Sequence, residues 1–175
     1  MKNRNNIIFL SIILGVISQV STQAATTVNF KGNLIIPDCT INNNSPLEVD
    51  FGDVEIQTLD VMNTAYHARD FNIPMTCPYI LGTPRLTLTS SAVHIAQQGI
   101  IQTSKYHEGL VIYLRQKGGV AAVPLGTATN VSSSVTGAGT SKTLTLNAGI
   151  GRYKEMQLLT PGPFTASASL QVRYE

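Results

Sequence analysis

The chain has 175 residues, of which 43% are hydrophobic and 13% are charged, with twelve basic and ten acidic side chains. Lysine and arginine form no cluster in the sequence, which argues against nucleic acid or an anionic membrane surface as a partner. The composition is that of an ordinary folded domain with a hydrophobic core.

The N-terminus has the pattern of a secretory signal peptide. Lys2 and Arg4 precede an apolar run from Ile7 to Ile17, and small and polar residues follow up to Thr22-Gln23-Ala24. This order of a basic, an apolar and a small-residue region predicts a signal peptide over residues 1–24, cleaved after Ala24. A membrane anchor is disfavoured because the apolar run is shorter than the roughly 20 residues that a spanning helix needs.

Removal of residues 1–24 takes away two basic side chains, so the mature chain has ten basic and ten acidic residues and is formally neutral. Its length of about 150 residues suits one domain with a real core. Cys39 and Cys77 are its only cysteines. In an exported protein, two cysteines with no others in the chain predict one disulfide. A metal site or a catalytic thiol is disfavoured because the sequence has no CxxC motif and no paired histidines near these cysteines.

An alternating segment lies between the predicted cleavage site and Cys39, over residues 25–37, and we call it the N-terminal extension. Its apolar positions fall on one face of a predicted strand: Val28, Phe30, Gly32, Leu34 and Ile36. An interior glycine often marks a place where another backbone approaches closely. The pattern fits an ordinary first strand with a bulge, and it equally fits a strand that packs into another molecule.

The middle of the chain predicts β-structure throughout. Alternating or β-branched runs occur at Phe71–Met75, Leu86–Thr89, Leu110–Arg115 and Lys142–Asn147, and clusters of Gly, Pro and Asn separate them. No segment holds a helical period with caps. Short strands at even spacing predict an all-β antiparallel sandwich of immunoglobulin-like type, although the chain has no tryptophan and so is not an antibody-type domain.

The last fourteen residues, 162–175, also alternate, and we call them the closing segment. Its apolar positions are Phe164, Ala166, Ala168, Leu170, Val172 and Tyr174, and polar residues stand between them. Such alternation predicts a strand with one face in the core, up to the penultimate residue. We therefore expect a partner outside this segment to cover its apolar face and its backbone edge.

At these motifs the chain resembles the pilins of chaperone–usher pili in Gram-negative bacteria, and in particular the minor subunits of P-pilus-type tip fibrillae. The resemblance covers nearly the whole mature chain. It is carried by residues 29–41 (NFKGNLIIPDCTI), by Met75-Thr-Cys-Pro-Tyr79 around the second cysteine, and by the closing segment with Gly162 fourteenth from its end and Tyr174 penultimate.

The resemblance implies an incomplete immunoglobulin-like sandwich that lacks its last strand and is completed in trans. A periplasmic chaperone would fill the open groove, and the extension of the next subunit would replace it at the outer-membrane usher by donor-strand exchange. Residues 25–36 would be the donor strand, with Gly32 leaving room at one subsite, and Gly162 with residues 164–174 would form the acceptor. The chain would then divide into a signal peptide (1–24), a donor extension (25–37) and a pilin domain (38–175).

The resemblance thus implies a structural pilus subunit that is exported through the periplasm to the cell surface and has a role in cell adhesion, with the chaperone, the usher and neighbouring pilins as partners. Its alternatives are a single-domain adhesin and a terminator or anchor subunit with a blocked groove. An enzyme is disfavoured because the three histidines (His67, His94 and His107) have no metal-ligand spacing and no G-x-S-x-G motif occurs. We expect no catalytic residue, metal, cofactor or small-molecule substrate.

Overall fold

The computed structural model describes residues 26–175 and divides the chain into two units, Met1–Asn33 and Leu34–Glu175. The predicted signal peptide lies outside the described residues. Of the first unit, residues 26–33 are described, and none of them is assigned to a strand or helix. Within residues 26–175, no helix is both long enough and apolar enough to cross a membrane.

The second unit is built from ten strands and short single turns of 3-10 helix. The strands are β1 (Thr40–Ile41), β2 (Tyr66–Thr76), β3 (Pro84–Thr89), β4 (Val93–Ile95), β5 (Ile100–Gln102), β6 (Leu110–Gln116), β7 (Thr129–Asn130), β8 (Val135–Thr136), β9 (Ser141–Arg152) and β10 (Ser169–Tyr174). The 3-10 turns are Asn42–Asn44, Ile56–Thr58, Ala96–Gln98, Tyr106–Glu108, Lys117–Gly119, Ser132–Ser134 and Met156–Leu158.

The strands form two sheets in which every pairing is antiparallel. The large sheet has the order β1-β2-β9-β6-β5-β4, with β8 also on β9, and the small sheet has the order β10-β3-β7. The four interior runs that the sequence predicted as strands lie in β2, β3, β6 and β9. The predicted all-β antiparallel sandwich is therefore confirmed.

The core lies between the two sheets and is formed by the alternate residues that each strand turns inward. In β9 these are Leu144, Leu146, Ala148 and Ile150, each at most 2% exposed, and β3 contributes Leu86 and Leu88. The outer face of the large sheet carries a second, smaller cluster of Ile100, Val111 and Tyr113. The main core reaches β10, where Val172 and Tyr174 are buried.

The predicted disulfide joins Cys39 to Cys77, both of which are buried. It links the residue before β1 to the residue after β2, and the Cys39 backbone N–H also donates a hydrogen bond of 2.8 Å to the carbonyl of Val172 in β10. The start of the domain is thus attached both to the large sheet and to the last strand.

Removing this disulfide by Cys39→Ala together with Cys77→Ala should lower the free energy of unfolding by about 4 kcal/mol, because the bond closes a loop with a sequence separation of 38. Urea unfolding of purified protein measures the change. Wild-type protein with reductant is the control and should unfold like the double variant. An unchanged urea midpoint would mean that the bond adds nothing to stability.

Candidate functional site

A groove of about 1460 Å³ opens along one side of the domain. One side is residues 45–57, which we call the N-terminal lip, and the other is residues 159–168, the C-terminal lip. Its floor is apolar and includes Leu88, Ile112, Leu114, Leu146 and Ile150. Its volume exceeds the roughly 300–1,000 Å³ of most small-molecule sites, so its size suits a longer apolar segment.

Most residues of the predicted acceptor line this groove. Gly162, Phe164, Ala166, Ala168 and Leu170 all do so, and Phe164, Ala168 and Leu170 also pack against the core. Gly162 has a φ of +136°, a conformation that favours glycine. The structure thus brings the first five of the seven residues named from the sequence to one open surface.

The last two residues of the predicted acceptor lie elsewhere. Val172 and Tyr174 do not line the groove but are 0% and 6% exposed inside the core. Burial raises the pKa of the Tyr174 hydroxyl above its ordinary value. The apolar residues of the closing segment therefore fall into two groups. Those up to Leu170 line the open groove, and the last two are already buried by the domain itself.

The closing strand is also shorter than the alternation predicted. β10 begins at Ser169, where its ladder with Thr89 of β3 begins, so the predicted strand over residues 164–168 is not formed. Those residues are held by other bonds: Ser104 exchanges hydrogen bonds with Thr165, and the Ser90 hydroxyl donates to the Ser167 carbonyl. In the described part of the chain, β10 pairs with a strand on one side only and is an edge of the small sheet.

A polar cluster holds the start of the C-terminal lip. Lys105 donates to both carboxylate oxygens of Glu108, at 3.0 and 3.1 Å, and to the carbonyl and hydroxyl oxygens of Thr160, both at 2.9 Å. Glu108 in turn accepts the Thr160 backbone N–H at 2.8 Å. Thr160 is thus tied to the turn that precedes β6.

Acid should loosen this attachment. The hydrogen bond from the Thr160 backbone N–H, followed by the one from Lys105, holds the pKa of Glu108 below its ordinary value. Because the pKa of Glu108 is lower in the folded state, its ionised carboxylate stabilises the fold fully above the unfolded-state pKa, about 4.3. This stabilisation is lost as the pH falls through the folded-state pKa.

Glu108→Gln should therefore lower the thermal midpoint at pH 7, and its difference from wild type should shrink below about pH 4. Thermal scans from pH 3 to pH 7 measure this. Glu155→Gln is the control because it removes another acidic residue outside this cluster. A difference that does not depend on pH would contradict the assigned ionisation.

The N-terminal lip was not recognised from the sequence as part of the site. Within it Val49, Phe51, Val54 and Ile56 are half-buried against the core. Its alternation of Leu47, Val49 and Phe51 with acidic residues and glycine was a signal that would have found it. The lip nevertheless forms no strand, because a strand needs a hydrogen-bonded neighbour and the open groove lies beside it.

The predicted donor residues are all exposed. Val28, Phe30, Leu34 and Ile36 are at least 42% exposed, and a Cβ built on Gly32 would meet no atom within 4 Å. The strand predicted for the N-terminal extension is absent from residues 26–37, because none of the described ladders includes these residues. Residue 25 lies outside the described part.

The histidines lie away from the groove. His67 and His107 are exposed, whereas His94 is half-buried with its ring 4.4 Å from that of Tyr153. Burial lowers the pKa of His94. Among residues 26–175, no group of three His, Cys, Asp or Glu side chains is arranged to hold a metal ion.

The fold and the groove define a disulfide-linked, immunoglobulin-like β-sandwich with an open apolar edge. The chain belongs to the fimbrial protein family, whose model matches residues 28–175. It is therefore a fimbrial subunit, an exported protein of the cell-surface pilus, and its partners are neighbouring pilins and the chaperone and usher that assemble them.

Individual proteins that are similar to this chain are also fimbrial or pilus subunits. The chain is 37% identical over 170 residues to fimbrial protein PrsE of Escherichia coli, a match that covers 94% of this chain and 95% of the relative. It is 28% identical over 168 residues to minor fimbrial protein PrsF of the same organism, covering 95% and 96%. The P pilus rod subunit PapA has the same fold, with a TM-score of 0.58 and 20% identity over 85% of this chain and all of that one.

Proposed function

We propose that this fimbrial subunit joins its neighbours by strand donation. Residues 25–36 are the donor strand for the preceding subunit of the fibre, and the groove between the two lips accepts a strand first from the chaperone and then from the next pilin. The observation that carries the proposal is the open apolar groove beside the edge strand β10, in a chain whose own extension exposes an alternating apolar face.

The energetics support this division of roles. Full burial of Val28, Phe30, Leu34 and Ile36 would contribute roughly 6–12 kcal/mol before ordering costs. A whole domain is stable by only about 5–15 kcal/mol, so a pilin without a donor strand is marginally stable and prone to aggregate. Because donor and acceptor are different surfaces of one chain, the contact is head-to-tail and extends into an open fibre.

We assign the subunit to the minor pilins of a tip fibrillum, with residues 38–175 as its pilin domain and residues 25–37 as its donor extension. The description of PrsF as a minor fimbrial protein supports this position. The open groove favours it over a terminator with a blocked groove, and the donor-like extension favours it over a single-domain adhesin. A structural subunit of this kind has no catalytic role.

Photo-cross-linking in assembled fibres tests the donor assignment. With the cross-linking analogue benzoylphenylalanine in place of Phe30, irradiation should join this subunit to the C-terminal lip of a neighbour. The same analogue at Asn29, on the opposite face of the extension, is the matched control and should cross-link less. Equal yields from the two positions, or cross-links from Phe30 only within its own chain, would contradict the proposal.

A further inference from the structure

One side chain outside the groove fixes the backbone of the N-terminal lip. Arg69 of β2 donates from Nη1 to the Asp50 carbonyl at 2.6 Å and from Nη2 to the Phe51 carbonyl at 3.2 Å. Its guanidinium also lies 5.5 Å from the centroid of the Phe51 ring. Among the described residues, the two bonds from Arg69 are the only hydrogen bonds that residues 47–54 make with any residue outside the lip.

The position of Arg69 in its strand follows from a bulge. The register of β2 on β9 shifts between Tyr66 and Arg69, and Arg69 then pairs with Ala148, whose side chain faces the core. Arg69 therefore lies on the same face of β2 as Phe71 and Ile73, at the end where that face meets the lip. Bulges commonly redirect a side chain beside a functional site.

The held segment meets the opposite lip directly. Phe51 lines the groove from the N-terminal lip and Phe164 lines it from the C-terminal lip, with their ring centroids 6.3 Å apart. This is within the range of a favourable aromatic contact. An incoming strand therefore lies against this pair or separates it, and the position of Phe51 determines the width of the groove there.

We propose that Arg69 is a positioning residue for strand binding. By holding the Asp50 and Phe51 carbonyls it sets the distance between the lips, and so controls how slowly a bound strand leaves the groove. The inference rests on the proposed function, because it concerns the same groove. It also explains why a charged residue stands on the core-facing side of β2.

The test measures the release of a fluorescent donor peptide from subunit that has been purified with its chaperone and then loaded with peptide. The peptide is residues 25–37 of this chain, or the equivalent segment of a neighbouring pilin if only that one binds to wild type. Arg69→Met should speed release about fivefold or more, since two hydrogen bonds from a charged group are lost. Arg69→Lys should restore part of the effect because an ammonium keeps the charge without the two-pronged geometry.

A double-mutant cycle separates positioning from a general loss of stability. If Arg69 acts through Phe51, Arg69→Met should change the release rate much less in a Phe51→Ala background than in wild type. Lys142→Met is the matched control, because Lys142 also donates from an exposed cation to a backbone carbonyl, that of Gly137, away from the groove. It should leave the release rate unchanged.

Equal release rates for wild type and Arg69→Met, or equal effects with and without Phe51, would overturn the inference while leaving the proposed function intact. If wild-type subunit takes up neither peptide, the proposed function fails and this inference fails with it.

Discussion

Deletion of residues 25–36 should leave a subunit that the chaperone still captures but that no longer extends a fibre. The groove lies in residues 41–170 and does not include the deleted segment, so capture in the periplasm needs nothing that is lost. Incorporation into the fibre does need it, because the groove of the preceding subunit would receive no donor strand. The gross loss is about 6–12 kcal/mol of apolar burial at that joint, enough to stop the deletion variant from joining the fibre.

Chaperone co-purification and the fibre length seen by electron microscopy measure the two effects separately. A full-length variant with Asn29→Ala and Asn33→Ala is the matched control, since it changes only the opposite face of the extension and should assemble normally. Assembly of the deletion variant at the wild-type rate would remove the donor role from residues 25–36. Loss of chaperone capture as well would indicate that the extension also supports the folded domain.

Leu170→Asp should weaken chaperone capture by about a hundredfold or more. Leu170 lines the groove and packs against the core, so an inserted strand would bury the new carboxylate without a partner. An uncompensated buried charge costs about 3–5 kcal/mol, which corresponds to at least two orders of magnitude in affinity.

The yield of chaperone complex in the periplasm and its dissociation constant measure this loss. Ser169→Asp is the matched control, because Ser169 is the neighbouring exposed residue on the other face of β10 and should tolerate the charge. Tyr174→Asp is expected to reduce the yield for a different reason, since Tyr174 is buried in the core and its substitution destabilises the domain itself. Unchanged capture of Leu170→Asp would remove that position from the acceptor.

The sequence was most informative where one residue pattern has one structural outcome. Alternation over Leu86–Thr89 and Lys142–Asn147 predicted strands that are formed, because each has a paired neighbour in the same domain. The two lone cysteines of an exported chain predicted the disulfide. Alternation also predicted a strand for residues 164–168 and for the N-terminal extension, but no strand is formed there in the described residues. The reason is that alternation indicates an apolar face and does not supply the neighbouring strand that the backbone must pair with.

Only one of the two sides of the candidate groove was predicted from the sequence. The closing segment was recognised, yet the burial of Val172 and Tyr174 depends on how far the two sheets overlap, which periodicity does not report. The role of Arg69 depends on a bulge in β2 and on a lip that forms no strand. Contacts of this kind join residues that are distant in sequence, so they become visible only in three dimensions.

The central claim is that the groove accepts a strand from another chain, and peptide displacement tests it most directly. Purified subunit bound to its chaperone is mixed with a peptide of residues 25–37 and, separately, with the equivalent peptides of neighbouring pilins. We expect at least one peptide to displace the chaperone and to yield a soluble peptide–subunit complex, and the peptide that succeeds identifies the neighbour. Displacement by none of them, with the chaperone still bound, would contradict strand exchange in this groove.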